Sequence, residues 1–481
     1  MDKGKELCQV VYNILVTQIE FGTYRYADHL PTIEEASRIL QVSWDTVRAA
    51  YLRLKHHGYI DLTKKMGATV KVAYQEQEIR QHIQDFFLIR RNALIDLSKS
   101  IRPLFSHAQW LGFKNAPGEL LDAIEQLARR RDVLPSYSMI QHLQQIYGAL
   151  HNELLMRFVW HSFMFFQAPF LSISANLKYL SAESSPLPTM IECCRQQDWA
   201  ALRKNVENFQ ELLSRSLCRF YDDTITKEVP EDQQIDFSWS SYKKTSQICY
   251  SFGMELLTGI SRGDFPAGSF LPSLERLAKE KQISVSTVRR TLLLLGNIGA
   301  TRSVNGIGTQ VLSLDESADH CDFTQPIVRK RLMDFAESLH FLALSCRECA
   351  EITIPFLDVS SKEHWIERLM YIKRAQRYEL VVYISLECIS CLAPHQVIRT
   401  VYSELLQQLF WGYPTRSLHG DQVTLNVFYQ PYYDSLLDSI ERGDALGYAE
   451  KLEELLMYEI RFAVEQLVDL GIREAADLVL P

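Results

Sequence analysis

Glycine is scarce in this chain, with 20 in 481 residues and only three between residues 75 and 239. That scarcity leaves no glycine-rich phosphate loop and no alternating strand–helix pattern of a nucleotide-binding enzyme. A GxSxG nucleophile elbow and an HExxH helix are also missing, so no catalytic residue and no cofactor is expected. Long hydrophobic runs are missing too. The most membrane-like stretch, residues 158–177, is broken by His161, Gln167, Pro169 and Asn176, which favours a buried helix and a turn over a membrane span. Residues 1–6 lead straight into a helical pattern without an apolar leader, so a cytoplasmic location is expected. What remains is ordinary globular composition, 47% hydrophobic and 23% charged, in a chain long enough for three or four units.

The ten cysteines include two CxxC pairs, Cys346/Cys349 and Cys388/Cys391. Four thiolates in two such pairs suit a zinc or iron–sulfur site, and they also suit redox sensing. Both lie inside helical patterns without knuckle glycines, which favours core thiols in a reducing compartment.

The positive content of the sequence is a repeat. Residues 30–48, LPTIEEASRILQVSWDTVR, align without a gap on residues 271–289, LPSLERLAKEKQISVSTVR, at an offset of 241. The same offset carries Gly22 onto Gly263, Gly58 onto Gly299, Gly67 onto Gly308 and Val70 onto Val311. A structural unit has therefore been used twice. In the second copy Pro272-Ser273 starts a short helix with Leu274, Leu277 and Ala278 on one face. Ser284 then caps a second helix over residues 285–295, which Gly296 or Gly299 ends. Thr32, Ser43 and Gly58 play these parts in the first copy. Two helices joined by a tight turn predict a helix-turn-helix, and the two short alternating segments that follow predict a β-wing.

These residues resemble the GntR family of bacterial transcription regulators. The second copy carries Arg262-Gly263-Asp264-Phe265-Pro266-Ala267-Gly268, Leu271-Pro272-Ser273, Leu277-Ala278, Ile283-Ser284, Thr287-Val288-Arg289 and Gly306-Ile307-Gly308-Thr309. The first keeps Leu30-Pro31-Thr32, Val42-Ser43, Thr46-Val47-Arg48 and Gly67-Ala68-Thr69. The family usually places an arginine shortly after Leu-Pro-Ser and another after the recognition-helix serine. Here those places hold Glu34 and Glu275, then Trp44 and Val285, with Arg276 one position late. The resemblance therefore implies a double-stranded DNA partner but leaves the operator open.

Charge follows the repeat. Residues 1–74 carry +2 and residues 240–313 carry +5, against −8 for the whole chain, so the remainder is strongly acidic. Local basic surface, not total charge, governs phosphate affinity. Between and after the two copies, residues 75–239 and 314–481 show long stretches of 3.6-residue periodicity, including 79–104, 117–131, 140–166, 199–221, 328–352 and 432–470. The predicted fold is mainly α: two winged helix-turn-helix domains (1–74 and 240–313) alternate with two all-helical bundles (75–239 and 314–481).

The bundles more weakly resemble the helical effector domain of the FadR-type branch. That resemblance allows a small-molecule effector and, in many such domains, a metal held by one aspartate and three histidines. The set is missing here: the final-helix histidine position falls near Asn208 and Glu454, so no metal is expected.

The residues expected to face DNA are Thr32, Ser43, Trp44, Asp45, Thr46, Arg48, Lys64 and Lys65 in the first copy. In the second they are Ser273, Arg276, Ser284, Val285, Ser286, Thr287, Arg289, Arg290, Asn305 and Gly306. Trp44 has two readings, contact with a thymine methyl or packing within the protein. Two functions stay open: a regulator whose two heads form an intramolecular pseudo-dimer, with further homodimerisation allowed, and a winged-helix interaction protein that reads no DNA.

Overall fold

The computed structural model describes residues 3–40, 42–63, 67–130, 133–180, 186–225, 227, 229–240, 244–313 and 319–480. The chain forms two compact units. One comprises Met1–Ala149 and Met156–Ser238, the other Leu150–Leu155 and Trp239–Pro481.

The first unit begins with a winged helix built from α1 (Lys3–Glu20), α2 (Ile33–Leu40), α3 (Trp44–His56), β1 (Ile60–Thr63) and β2 (Gly67–Val70). Val11, Leu15 and Ile19 of α1 meet Ala36 and Leu40 of α2, Val47, Tyr51 and Leu54 of α3, and Ile60 and Val70 of the wing in one core. The strands pair antiparallel from Ile60↔Val70 to Thr63↔Gly67, and His29 adds a bridge to Thr69.

A helical region follows: α4 (Glu76–Leu88), α5 (Arg91–Lys114), α6 (Gly118–Arg129), α7 (Pro135–Gly148), α8 (Glu153–Ser162), α9 (Ala168–Leu171), α10 (Leu177–Leu180), α11 (Pro186–Gln196) and α12 (Trp199–Thr224). The long α5 and α12 pack against each other. α7 fastens the winged helix to this region. Tyr137 lies in the winged-helix core and its hydroxyl donates to Gln18 Oε1 at 2.8 Å, while Gln144 Nε2 donates to the Leu40 carbonyl at 3.3 Å.

Several boundaries differ from the periodicity. The stretch 79–104 is two helices, because the chain turns at Ile89-Arg90. The freed carbonyls of Leu88 and Ile89 are satisfied by Gln234 Nε2 and the Ile235 amide, a long-range cap no local pattern announces. The stretch 140–166 also breaks, at a left-handed His151 (φ 55°) followed by Asn152, whose Oδ1 caps the next helix at Leu155 N. Residues 163–167 then form a π-helical turn.

The second unit repeats the winged helix as α13 (Lys244–Arg262), α14 (Leu274–Lys281), α15 (Val285–Asn297), β3 (Thr301–Val304) and β4 (Gly308–Val311). Its strands pair Thr301↔Val311 through Val304↔Gly308, and Phe270 bridges Gln310, each the first-copy register moved by the sequence offset. α15 runs on through Gly296 to Asn297, and the turn falls at Gly299 (φ 73°), which adopts the left-handed backbone that glycine tolerates best.

The accompanying helical region comprises α16 (Pro326–Thr353), α17 (Val359–Ala375), α18 (Val381–Leu392), α19 (Gln396–Leu409), α20 (Gln422–Arg442) and α21 (Ala445–Asp469). Here the attachment is different. The buried Arg331 of α16 pairs with Asp334 at 2.7 Å and lies over Tyr250 of α13, 4.3 Å from its ring centroid, with Trp411 at 5.8 Å. Among the described residues, no helix is long and apolar enough to cross a membrane.

Candidate nucleic-acid interface

Each recognition helix starts on a serine cap. Ser43 Oγ accepts from Thr46 N at 3.2 Å, and Ser284 Oγ accepts from Thr287 N at 3.1 Å. Such a cap satisfies one free amide of the first turn and leaves the others pointing outward, where the helix dipole favours an anion. The threonines correct the sequence reading. Thr46 and Thr287 are buried, with hydroxyls 2.7 and 2.8 Å from the cap serine oxygens, so they brace the cap instead of facing DNA.

On α3 the exposed face holds Trp44, Asp45, Arg48 and Ala49. Trp44 is 49% exposed, which answers its two readings against core packing, and the Arg48 guanidinium lies 5.6 Å from its ring centroid. Residues four apart share a helix face, so the pair forms a single cationic and aromatic surface. Arg53, further along, is turned back onto Gln9 and the Tyr12 ring and serves the α1–α3 contact.

On α15, Ser286, Arg289 and Arg290 are exposed and Val285 is half-buried. Ser286 Oγ is 2.8 Å from Ser284 Oγ. The described residues offer Arg289 and Arg290 no ion-pair partner, so both guanidinium groups face solvent.

The shorter helices carry a less obvious difference. Thr32 and Glu35 form a reciprocal capping box: Thr32 N donates to Glu35 Oε2 at 2.8 Å and Glu35 N to Thr32 Oγ1 at 3.1 Å. The backbone N–H and hydroxyl of Thr32 together hold the Glu35 carboxyl below its usual range. The residue matching Glu35 in the second copy is Arg276, whose amide donates to the Ser273 cap at 3.3 Å. Its exposed side chain pairs with Glu280 at 2.7 Å. The Thr32 hydroxyl is thus committed to a carboxylate, while the Ser273 hydroxyl caps the Arg276 amide and the Arg276 guanidinium is paired with Glu280.

At the second wing, Asn305, Gly306 (φ 74°) and a 69% exposed Ile307 form the tip. Lys64 and Lys65, expected at the first wing tip, lie outside the described residues.

Sequence reasoning missed one matched pair. Leu52 and Leu293 occupy the same place in the two recognition helices, one turn beyond the arginines, and are 47% and 65% exposed. Counting four residues on from Arg48 and Arg289 would have found them.

In the helical regions Asp198 and Asp444 are helix caps. Asp198 Oδ1 accepts from Ala201 N at 3.0 Å and Asp444 Oδ1 from Gly447 N at 2.9 Å. Glu454 accepts from Tyr432 and Lys451. No group of three metal-ligating side chains gathers among the described residues. Cys346, Cys349 and Cys388 are buried and Cys391 is exposed; burial pushes the three buried thiols far above their usual range.

The family model of the bacterial regulatory proteins, gntR family, matches residues 7–70 and 253–311. No curated protein matches the chain. Among solved structures, a Streptococcus agalactiae GntR is 16% identical over 44% of this chain and 99% of its own, with a TM-score of 0.21. A transcriptional regulator of the GntR family from Pseudomonas syringae pv. tomato str. DC3000 is 18% identical over 47% and 88%, with a TM-score of 0.20. A third, Lar, described as controlling the expression of the Listeria monocytogenes agr system and mediating virulence, is 15% identical over 47% and 99%, at 0.21. Residues 7–70 and 253–311 are two DNA-binding winged-helix domains of the gntR family of bacterial regulatory proteins, carried in one chain.

Proposed function

We propose that this DNA-binding transcription regulator reads a specific operator with both heads of a single chain, acting in the cytoplasm as an intramolecular pseudo-dimer. The observation that carries this reading is the pair of matched recognition helices. Each has a serine-capped N-terminus and an exposed arginine, Arg48 or Arg289, one turn further on. The capped end suits a phosphate, and an arginine at that place suits a guanine edge or a neighbouring phosphate. The four segments 1–74, 75–239, 240–313 and 314–481 serve as head, helical region, head and helical region. A small-molecule effector, bound without a metal, acts through a helical region. Further homodimerisation is compatible with this arrangement.

Selection of bound fragments from sheared genomic DNA by the purified protein at low salt tests the proposal. Enrichment of a defined sequence is the expected result. The second reading, an interaction protein without DNA specificity, is favoured by Asp45, Glu34 and Glu275 and by the exposed Leu52 and Leu293. Recovery of no enriched sequence would leave that reading standing.

A further inference from the structure

The second wing ends in the turn Val304-Asn305-Gly306-Ile307, closed by the Ile307 amide donating to the Val304 carbonyl at 3.1 Å. Gly306 (φ 74°) takes the third place of the turn, where a left-handed backbone selects glycine. The ladder resumes at Val304↔Gly308, so Ile307 stands outside it, with its backbone held and its side chain 69% exposed. Glycines on both sides keep the tip slim, and a Cβ added at Gly306 would meet nothing within 4 Å. Residues 304–309 hold no charged side chain. Arg302, further down the strand, donates from Nε to Gln310 Oε1 at 3.0 Å. An isoleucine at a wing tip gains nothing from water. A wing that only gripped phosphate would carry cations there, as Lys64 and Lys65 do at the first-copy places matching Asn305 and Gly306.

We propose that Ile307 enters the minor groove beside the second head's half-site and selects A·T pairs there by excluding the 2-amino group of guanine. This inference rests on the reading that the second head binds a specific site. α15 ends at Asn297 and the hairpin leads off at Thr301. With α15 in a major groove, a hairpin at its side reaches across one phosphate strand to the neighbouring minor groove. That groove is about 6 Å wide, and its A·T pairs present only acceptors, whereas G·C adds the guanine amino donor. An aliphatic tip packs against the A·T floor. Against G·C it strikes the amino group and shuts its N–H away from water without a partner. The neutral tip separates this mechanism from the charge-driven attraction of arginine to narrow A·T grooves. The 43% exposed Phe270, whose ring lies beside Gly308, extends the apolar surface behind the tip.

The test uses full-length protein and its selected site, with each adenine replaced singly by 2,6-diaminopurine. That base still pairs with thymine and keeps the major-groove edge of adenine, but it places an amino group in the minor groove as guanine does. Affinities are read by fluorescence anisotropy. One or two positions flanking the second head's half-site should cost the wild type at least fivefold in affinity and Ile307→Ala less than twofold. The variant should melt like the wild type, because Ile307 is exposed. A second selection with Ile307→Ala should lose the A·T preference at the same positions. Absence of any sensitive position, equal sensitivity in Ile307→Ala, or a selected site with only G·C pairs flanking that half would overturn the minor-groove contact and leave the regulator reading intact. Failure to select any site would remove both.

Discussion

The two arginines that share a place in the repeat do not share surroundings, and that decides their expected effects. Arg289 stands beside Arg290 with Ser286 before it, whereas Arg48 lies over Trp44 with the exposed Asp45 at the same helix end. Asp45 opposes phosphate, and Arg48 must leave or share the indole face to reach a base. Arg289→Ala should therefore weaken operator binding more than Arg48→Ala, each by about 1–3 kcal/mol if the arginine reads a base edge. Fluorescence anisotropy on a selected site checks this, and equal losses would contradict it. A second residue-scale expectation concerns His142, buried in α7 against Phe113, with an Nδ1 that has no partner among the described residues. Desolvation pulls its imidazole down to about 4. Between that value and the ordinary 6.5, the unfolded chain holds the proton and the folded chain does not. Stability is thus full above pH 6.5 and falls as pH drops through the window, by about 1.4 kcal/mol per unit. His142→Leu should reduce the drop in the first urea midpoint between pH 7.5 and pH 5; an unchanged drop would rule His142 out as its source.

At the scale of the element, the serine caps are the joints of the reading heads. Ser284→Ala removes an acceptor for Thr287 N and leaves the buried Thr287 hydroxyl without that oxygen. Loss of about 1 kcal/mol of stability is expected from the cap alone. Because the cap also fixes the helix end that meets phosphate, DNA affinity should fall as well, while Ser284→Asp should restore stability but not affinity. Melting and anisotropy of both variants check the split; recovery of both properties by aspartate would place no phosphate at that end. These caps were legible in the sequence, since a serine before a 3.6-period run, a closing glycine and a fixed offset are all local signals. The wings were legible for the same reason. The inward turn of Thr46 and Thr287 was not, because a hydroxyl at the third helical position serves core and groove equally well until packing chooses. Nor were the breaks at Ile89-Arg90 and His151-Asn152. The first depends on carbonyl partners 146 residues away, Gln234 and Ile235. Nor was the burial of Gln109 of α5 and Gln210 of α12, which only the pairing of those two helices brings together.

At the scale of the whole molecule, joining two unequal heads in one chain changes what the operator must look like. A symmetric dimer presents the same recognition helix twice and is best served by a palindrome. Here residues 44–49 read Trp-Asp-Thr-Val-Arg-Ala and residues 285–290 read Val-Ser-Thr-Val-Arg-Arg, so the two surfaces differ at three exposed or half-exposed places. The heads also differ in charge, +2 on residues 1–74 and +5 on residues 240–313. They differ again at the short helix, where Glu35 answers to Arg276. A selected site should therefore be asymmetric, with the more selective half under the second head. Binding should fall by orders of magnitude between about 50 and 200 mM salt if several phosphates are neutralised. The same reasoning gives a gain-of-symmetry variant. Trp44→Val, Asp45→Ser and Ala49→Arg together give the first recognition helix the face of the second, removing one negative charge and adding one positive. Repeating the selection with that triple variant should return a site whose weaker half has moved toward the inverted copy of the stronger one, and the slope of log affinity against log salt should steepen. If the variant selects the original asymmetric site with the original slope, the first head makes no base contact through this face.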